Sequence, residues 1–158
     1  MPRDALPDLD EPKAGRLTIQ YGPSGGASVV ENPPRFTWLP VIEDEACYVL
    51  RVSTDRAYSD RSTHVFKRIE LNFFTPDVVF APGDYIWSYA VCDPKSGAPI
   101  TGWSTDRPFT VGPDLSETPL PRRDVRFQDV DRSHPRLWMT PKRLQAFRKE
   151  VAADPSHC

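Results

Sequence analysis

Apolar and polar residues alternate along two stretches of the chain, and both stretches predict β-strands. Residues 46–53 read ACYVLRVS and residues 85–92 read YIWSYAVC. Because successive side chains of a strand point to opposite faces of a sheet, each stretch places a set of large residues on one face. These sets are Tyr48, Leu50 and Val52 in the first stretch and Tyr85, Trp87, Tyr89 and Val91 in the second. The first stretch is typical of a half-buried strand, and the aromatic face of the second is expected to be buried.

Shorter patterns predict further strands around these two. Residues 17–21 (LTIQY) alternate and predict a first strand, and residues 64–71 predict a weaker strand near a sheet edge. Residues 71–80 carry two short apolar runs around a proline, which predict two short strands or one broken strand. Residues 103–111 are expected to return as the second arm of a hairpin after the 85–92 strand. Several short strands with turn residues between them predict an all-β sandwich.

The pattern changes after residue 112 and predicts one amphipathic helix. Thr140 is a suitable N-cap and Pro141 falls at the first helical position, while Asp154-Pro155 is expected to end the helix. Its apolar stripe has helical spacing and consists of Leu144, Phe147 and Val151. An isolated helix of this length is marginal in water, so the stripe is expected to pack on another domain. The predicted organisation is a flexible arm (1–16), a β-sandwich domain (17–112), a linker (113–133) and a helical segment (134–158).

Composition and charge narrow the class of protein. The 158 residues include 18 prolines, which exclude long helices from most of the chain and suit short strands joined by turns. A net charge of -2 supplies no strong field for nucleic acid or an anionic membrane. No apolar segment has the length of a membrane span, and the N-terminal residues lack the apolar core of a secretory signal. These features predict a cytoplasmic location.

The three cysteines have no metal-binding spacing. If the two best strands are antiparallel neighbours, Cys47 and Cys92 lie at the same end of the sheet and become cross-strand neighbours. They are then either bonded or two free thiols, and a reducing compartment favours the free thiols. Cys158 lies in the tail and is given no role.

No constellation of residues predicts catalysis, a cofactor or a metal. His64, His134 and His157 have no Cys, Asp or Glu at metal or triad spacing. The acidic residues near the N-terminus, among them Glu11, are expected to be solvated. The candidate contact residues, for a carbohydrate or for another domain, are Trp103 at a strand entrance and the basic residues Arg122 and Arg123 of the linker.

The aromatic hairpin resembles the last two strands of fibronectin type III and immunoglobulin-like sandwiches. Such domains often read Gly-x-Tyr-x-Trp-x-Val in the penultimate strand and Trp-Ser before the last. The matching residues are Gly83, Tyr85, Trp87 and Trp103-Ser104. The resemblance implies that Trp87 is buried, as we also expect for Trp38, and that Tyr85 hydrogen-bonds back to the backbone as a tyrosine corner.

Six segments together resemble the N-terminal region of heparinase II/III-type polysaccharide lyases, most closely the exo-acting oligoalginate lyases. They are ENPPRFTWLP (31–40), YVLRVSTD (48–55), LNFFTPD (71–77), PGDYIWSYAVCD (82–93), GWSTDRPFTV (102–111) and HPRLWMTP (134–141). In that family the last segment leads into the first helix of a large α/α toroid. The toroid carries a tyrosine and a histidine that cleave uronate polymers by β-elimination. No residue of this sequence matches those two, so none is assigned their role.

The resemblance implies a leading accessory domain of a uronate-polymer lyase that acts on alginate oligomers. Its partner would be an α/α toroid catalytic domain beyond these 158 residues, with a uronate oligosaccharide as a further candidate ligand. The chain alone is then expected to be catalytically silent. The alternative is an independent sandwich module that binds a carbohydrate or another protein without catalysis.

Overall fold

The structure is a computed structural model that describes residues 6–41, 46–119, 125 and 141–153. The chain divides into two compact units, residues 1–120 and residues 121–158. Within the described ranges, the first unit contains β-strands and the second contains one α-helix. The strands are β1 (Ala27–Ser28), β2 (Phe36–Thr37), β3 (Tyr48–Ser53), β4 (Thr63–Ile69), β5 (Phe73–Phe74), β6 (Gly83–Val91) and β7 (Arg107–Val111), and the helix is α1 (Pro141–Ala153).

The strands form a five-stranded sheet and a two-stranded sheet. The larger sheet has the order β1-β7-β6-β3-β4, and the smaller one pairs β2 with β5. The short strand β1 runs parallel to β7, whereas the other neighbours are antiparallel. The strand predicted near an edge, β4, is the last strand of the larger sheet, and this prediction is confirmed. The described residues are thus organised mainly in sheets with a single C-terminal helix, as an all-β prediction requires.

The aromatic core lies on one face of the larger sheet, which we call the inner face. The Phe36 ring of β2 packs edge-on against the rings of Trp87 and Phe109, with centroid distances of 5.4 and 5.6 Å. The Trp38 ring stacks on Tyr89 at 5.3 Å. Trp38 and Trp87 are both 0% exposed, so the burial predicted for them is confirmed. The alternation of β6 therefore places its large residues where the pattern predicts.

The opposite face of the larger sheet, the outer face, is also buried over the central strands β3 and β6, and here the half-buried prediction for residues 46–53 was wrong. Val49 of β3 and Ala90 of β6 point away from the aromatic core and are nearly inaccessible to solvent. They form a second apolar cluster with Cys47 and Cys92, and Trp103 packs against it. A period of two shows which residues share a face, but it does not reveal that a distant segment covers the other face.

The strand predicted over residues 17–21 is absent, and those residues form a turn followed by irregular chain. Side-chain hydrogen bonds explain the difference. The Thr18 hydroxyl donates to the Gly15 carbonyl at 3.0 Å and accepts from the Gly15 N–H at 2.8 Å. The Gln20 amide also donates to the Gly15 carbonyl. Such local bonds compete with sheet pairing, and they leave Leu17 97% exposed.

The predicted helix is present as α1, with Pro141 at its first position. Along its stripe, Leu144 and Val151 are half-buried and Phe147 is 47% exposed. The proposed N-cap Thr140 and the stop at Asp154-Pro155 lie outside the described residues. In the part of the chain that the structure describes, no helix has the length and apolar character needed to cross a membrane.

Candidate functional site

Five side chains meet on the outer face of the larger sheet. One of them is Trp103, which is the only predicted contact residue within the described part of the chain. We call this group the Arg51 cluster, and it consists of Arg51, Tyr58, Ser88, Trp103 and Asp106. Arg51 of β3 lies directly opposite Ser88 of β6 in the sheet register. The segment between β6 and β7 contributes Trp103 and Asp106.

Tyr58 reaches the cluster from the turn between β3 and β4. The Asp55 carboxylate accepts a hydrogen bond from the Ala57 N–H at 2.8 Å, and its carbonyl accepts one from the Tyr58 N–H at 3.0 Å. Tyr58 adopts a φ of 52°, in the left-handed region that residues with a side chain seldom occupy. Hydrogen bonding within the turn thus holds an unusual backbone conformation that delivers an aromatic ring to the sheet.

The guanidinium of Arg51 lies between two aromatic rings. Its central carbon is 3.5 Å from the centroid of Tyr58 and 4.1 Å from that of Trp103. Its Nε donates a hydrogen bond to Ser88 Oγ at 2.7 Å, and its Nη2 lies 3.9 Å from Asp106 Oδ1. Burial lowers the pKa of Arg51, and the nearby Tyr58 and Asp106 oppose that shift. Cation–π contact and a polar hydrogen-bonding partner therefore stabilise a charge that would otherwise be costly to bury.

Tyr58 is held in its protonated form. Its hydroxyl donates to Asp106 Oδ1 at 2.6 Å. Burial, followed by this bond to a carboxylate, raises the pKa of Tyr58 to about 12. A phenol with this pKa is a poor general base near neutral pH. The Arg51 cluster is thus suited to recognition or to packing more than to proton transfer.

Trp103, predicted as a carbohydrate or domain contact, is half-buried at the centre of this arrangement. Arg51 lies over its ring, and the ring also packs against the Cys47 and Cys92 cluster. Contact between Trp103 and a carbohydrate stays a prediction. Arg122 and Arg123, the other two predicted contact residues, lie outside the described residues.

A second arginine, Arg107, also packs its guanidinium against two aromatic rings, here on the inner face. Its guanidinium lies 3.9 Å from the Tyr21 centroid and 5.3 Å from that of Trp87. It forms an ion pair with Glu11 and donates to the Thr105 carbonyl at 2.7 Å. Burial lowers the pKa of Arg107. Glu11 was expected to be solvated, and that expectation was wrong because the partly buried Arg107 requires a counter-charge.

The chain around Glu11 makes specific contacts, although it belongs to the arm predicted as flexible. The Pro7 carbonyl accepts a hydrogen bond from the Gly102 N–H at 2.7 Å, and Glu11 Oε2 accepts one from the Thr105 N–H at 2.9 Å. Leu9 packs against the aromatic core. Residues 7–12 are thereby attached to the segment that also carries Trp103.

Sequence reasoning did not single out Arg51, Tyr58 or Arg107. For Arg51 a signal was available, because it lies on the same predicted strand face as the apolar residues Cys47 and Val49. A charged residue in that position needs a buried partner. For Tyr58 and Arg107 the partners come from distant parts of the chain, and no local pattern indicates them.

A groove with a mixed, mainly apolar lining lies at the end of the larger sheet near β1. It has a volume of about 360 Å³, and its polar lining consists of Thr54, Arg56, Asp84 and Thr110. Thr110 Oγ1 donates to Asp84 Oδ1 at 2.7 Å, so the carboxylate has a partner within the groove. Arg56 is exposed, and within the described ranges its side chain has no acidic partner.

The described residues hold no group of three or more His, Cys, Asp or Glu side chains that is suited to a metal ion. His64 lies on the edge strand β4, where its ring contacts Phe80 edge-on at 5.4 Å. The other two histidines lie outside the described residues. A comparison of the chain with protein-family models gave no match, and a comparison with curated proteins gave none either.

Proposed function

We propose that this chain is the accessory β-sandwich domain of a polysaccharide lyase that cleaves uronate polymers, such as alginate oligomers, by β-elimination. The observation that carries the proposal is the apolar stripe of α1, in which Phe147 remains 47% exposed. A helix with this stripe is suited to pack on a further helical layer. The stripe follows the HPRLWMTP segment, which resembles the approach to the toroid in the heparinase II/III-type lyases.

The finer fold assignment is part of the same proposal, namely a fibronectin type III or immunoglobulin-like sandwich. Two features support it. The Tyr85 hydroxyl, at the start of β6, donates to the Ala81 carbonyl at 3.0 Å, which confirms the predicted hydrogen bond and matches a tyrosine corner. The order β7-β6-β3-β4 in one sheet, facing β2 and β5, also has the arrangement of such sandwiches.

Two measurements test the lyase proposal. The first is to read the genomic frame beyond codon 158, where we expect a continuous frame that encodes helical repeats. A stop codon directly after codon 158 would overturn the proposal. The second is to incubate the purified chain with alginate oligomers and follow the absorbance of the unsaturated uronate product. We expect no turnover, and product formation would show that these residues carry catalysis themselves.

The alternative is an independent sandwich module that binds a carbohydrate, and the exposed guanidinium of Arg56 in the groove near β1 favours an acidic one. A guanidinium binds a carboxylate through charge-assisted hydrogen bonds. The neighbouring Thr54 offers a hydroxyl group for a sugar, and Thr110, whose hydroxyl donates to Asp84, offers an acceptor oxygen. Titration with uronate oligomers and with neutral glucose oligomers, followed by NMR chemical shifts, tests this alternative. Specific uronate binding that Arg56→Ala abolishes and the control Arg61→Ala retains, together with a stop codon directly after codon 158, would favour it over the accessory domain.

A further inference from the structure

The two thiols of the outer face lie against each other. Cys47 Sγ and Cys92 Sγ are 2.9 Å apart, and both are free cysteines. The pairing of Tyr48 with Val91 places Cys47 opposite Cys92, and the Cys92 N–H donates to the Cys47 carbonyl at 2.7 Å. The predicted cross-strand neighbours are therefore confirmed, as thiols within hydrogen-bonding distance.

This geometry is close to that of a disulfide. Directly opposite residues of an antiparallel pair have Cα separations of about 4.5–5.5 Å, within the usual range for a disulfide. A disulfide has an S–S distance of about 2.0 Å. The sulfur atoms therefore need to approach by less than 1 Å from their present separation of 2.9 Å. Side-chain rotation supplies such a movement without a change in the strand register.

The surroundings of the pair slow its reaction. Cys47 is 5% and Cys92 is 1% exposed, and Trp103 packs over the apolar cluster that contains them. Burial, followed by the contact with Cys92, raises the pKa of Cys47 above that of a free thiol. Because the thiolate is the reactive form, Cys47 reacts slowly near neutral pH unless the cover opens. A small oxidant has an advantage over a bulky one at such a site.

We propose that Cys47 and Cys92 form an oxidation site at which hydrogen peroxide closes a disulfide between β3 and β6, with Trp103 as the cover that limits its rate. One thiolate attacks a peroxide oxygen, the O–O bond breaks, and a sulfenic acid and hydroxide are produced. The second thiolate then attacks the sulfenic sulfur and displaces hydroxide as the S–S bond forms. The two thiols lose two electrons, peroxide gains them, and the thiol protons leave in two molecules of water.

The test uses the full chain with Cys158→Ser, which removes the third thiol, so that only the pair can react. The protein is treated with peroxide in its folded state, quenched, and examined by intact mass, thiol titration in denaturant and peptide mapping. We expect both thiols to disappear together, a mass loss of two hydrogen atoms from the cysteine peptides, and one cross-linked peptide joining Cys47 to Cys92. The oxidised protein should also melt at a higher temperature, because the bond restricts the unfolded chain.

Two results would overturn the proposal. One is that both thiols persist in the folded protein and react only after denaturation. The other is that they are lost as separate sulfinic acids without a cross-link. Methionine oxidation adds oxygen to other peptides, so the peptide map separates it from the cysteine reaction.

A pair of variants tests the role of Trp103 as the cover. Trp103→Ala should increase the rate of thiol loss several-fold, whereas Ile100→Ala should leave it unchanged. Ile100 is a suitable control because it lies in the same connection and is already exposed. Equal rates in wild type and Trp103→Ala, with both proteins folded by circular dichroism, would contradict the role assigned to Trp103.

Discussion

The central strands of the larger sheet, β3 and β6, are buried on both faces, but different interactions bury the two faces. The inner face is covered by β2 and β5, and its contacts are largely between aromatic rings, such as those of Phe36 and Trp87. The outer face is covered by the segment before β7, with Arg51 between Tyr58 and Trp103. Aromatic packing covers the inner face, whereas two rings, the cation between them and its hydrogen bonds cover the outer face. The comparison shows that an alternating strand can be buried on both sides when a loop supplies the second layer.

The inner face should contribute more to stability, and Trp87→Ala is the strongest test. Trp87 is fully buried, so its removal should lower the free energy of unfolding by about 3–5 kcal/mol. Urea denaturation followed by circular dichroism measures this loss. The control Leu17→Ala, at a highly exposed position, should change the free energy by less than about 0.5 kcal/mol. If Trp87→Ala lowers the free energy of unfolding by less than about 1 kcal/mol, the inner face does not contribute more to stability than the outer face.

Substitutions on the outer face should lower the free energy of unfolding by less than Trp87→Ala does. Two of them should also show a measurable coupling energy. Trp103→Ala removes a half-buried ring, so the free energy of unfolding should fall by about 1–3 kcal/mol. A double-mutant cycle with Arg51→Ala should give a coupling energy of about 0.5–1 kcal/mol for the stacked pair. A coupling energy of zero would mean that the guanidinium covers the ring without attracting it.

The tyrosine hydroxyl at the start of β6 is expected to contribute still less to the free energy of unfolding. Tyr85→Phe keeps the ring in the core and removes only the hydroxyl that donates to the Ala81 carbonyl. The free energy of unfolding should fall by about 1 kcal/mol. The same urea titration measures this loss. Tyr21→Phe is a matched comparison, because it also deletes a tyrosine hydroxyl that donates to a backbone carbonyl, that of Pro12. An unchanged stability in Tyr85→Phe would show that water replaces this bond without cost.

The smallest expected effect is a change in how stability depends on pH. The pKa of Tyr58 rises from 10.0 to about 12 in the folded protein, so the unfolded chain loses that proton first. The contribution is fully present below pH 10 and is lost as pH rises through about 12. Stability measured across this window should fall less steeply in Tyr58→Phe than in wild type. If stability falls equally steeply with pH in both proteins, the pKa of Tyr58 is not raised by burial and by its bond to Asp106.

Much of the inner face could be predicted from the sequence, because alternation is a local property. The alternation of large residues from Tyr85 to Val91 is sufficient to predict that this face is buried. The weaker pattern of β4 predicts its position at the edge of the sheet. The outer face could not be predicted in the same way, since Arg51 meets Trp103 only after the chain has folded. The Thr18 turn shows a third case, in which side-chain hydrogen bonds override an alternating pattern.

The ion pair between Glu11 and Arg107 determines how far the polypeptide can be trimmed from its N-terminus. A recombinant version that starts at residue 17 would lack Glu11 and would leave the guanidinium beside Tyr21 and Trp87 without its counter-charge. It would also lose the Pro7 carbonyl that anchors Gly102, next to Trp103. A shortened version of the β-rich unit that keeps both contacts therefore includes Pro7, ten residues ahead of the first alternating segment.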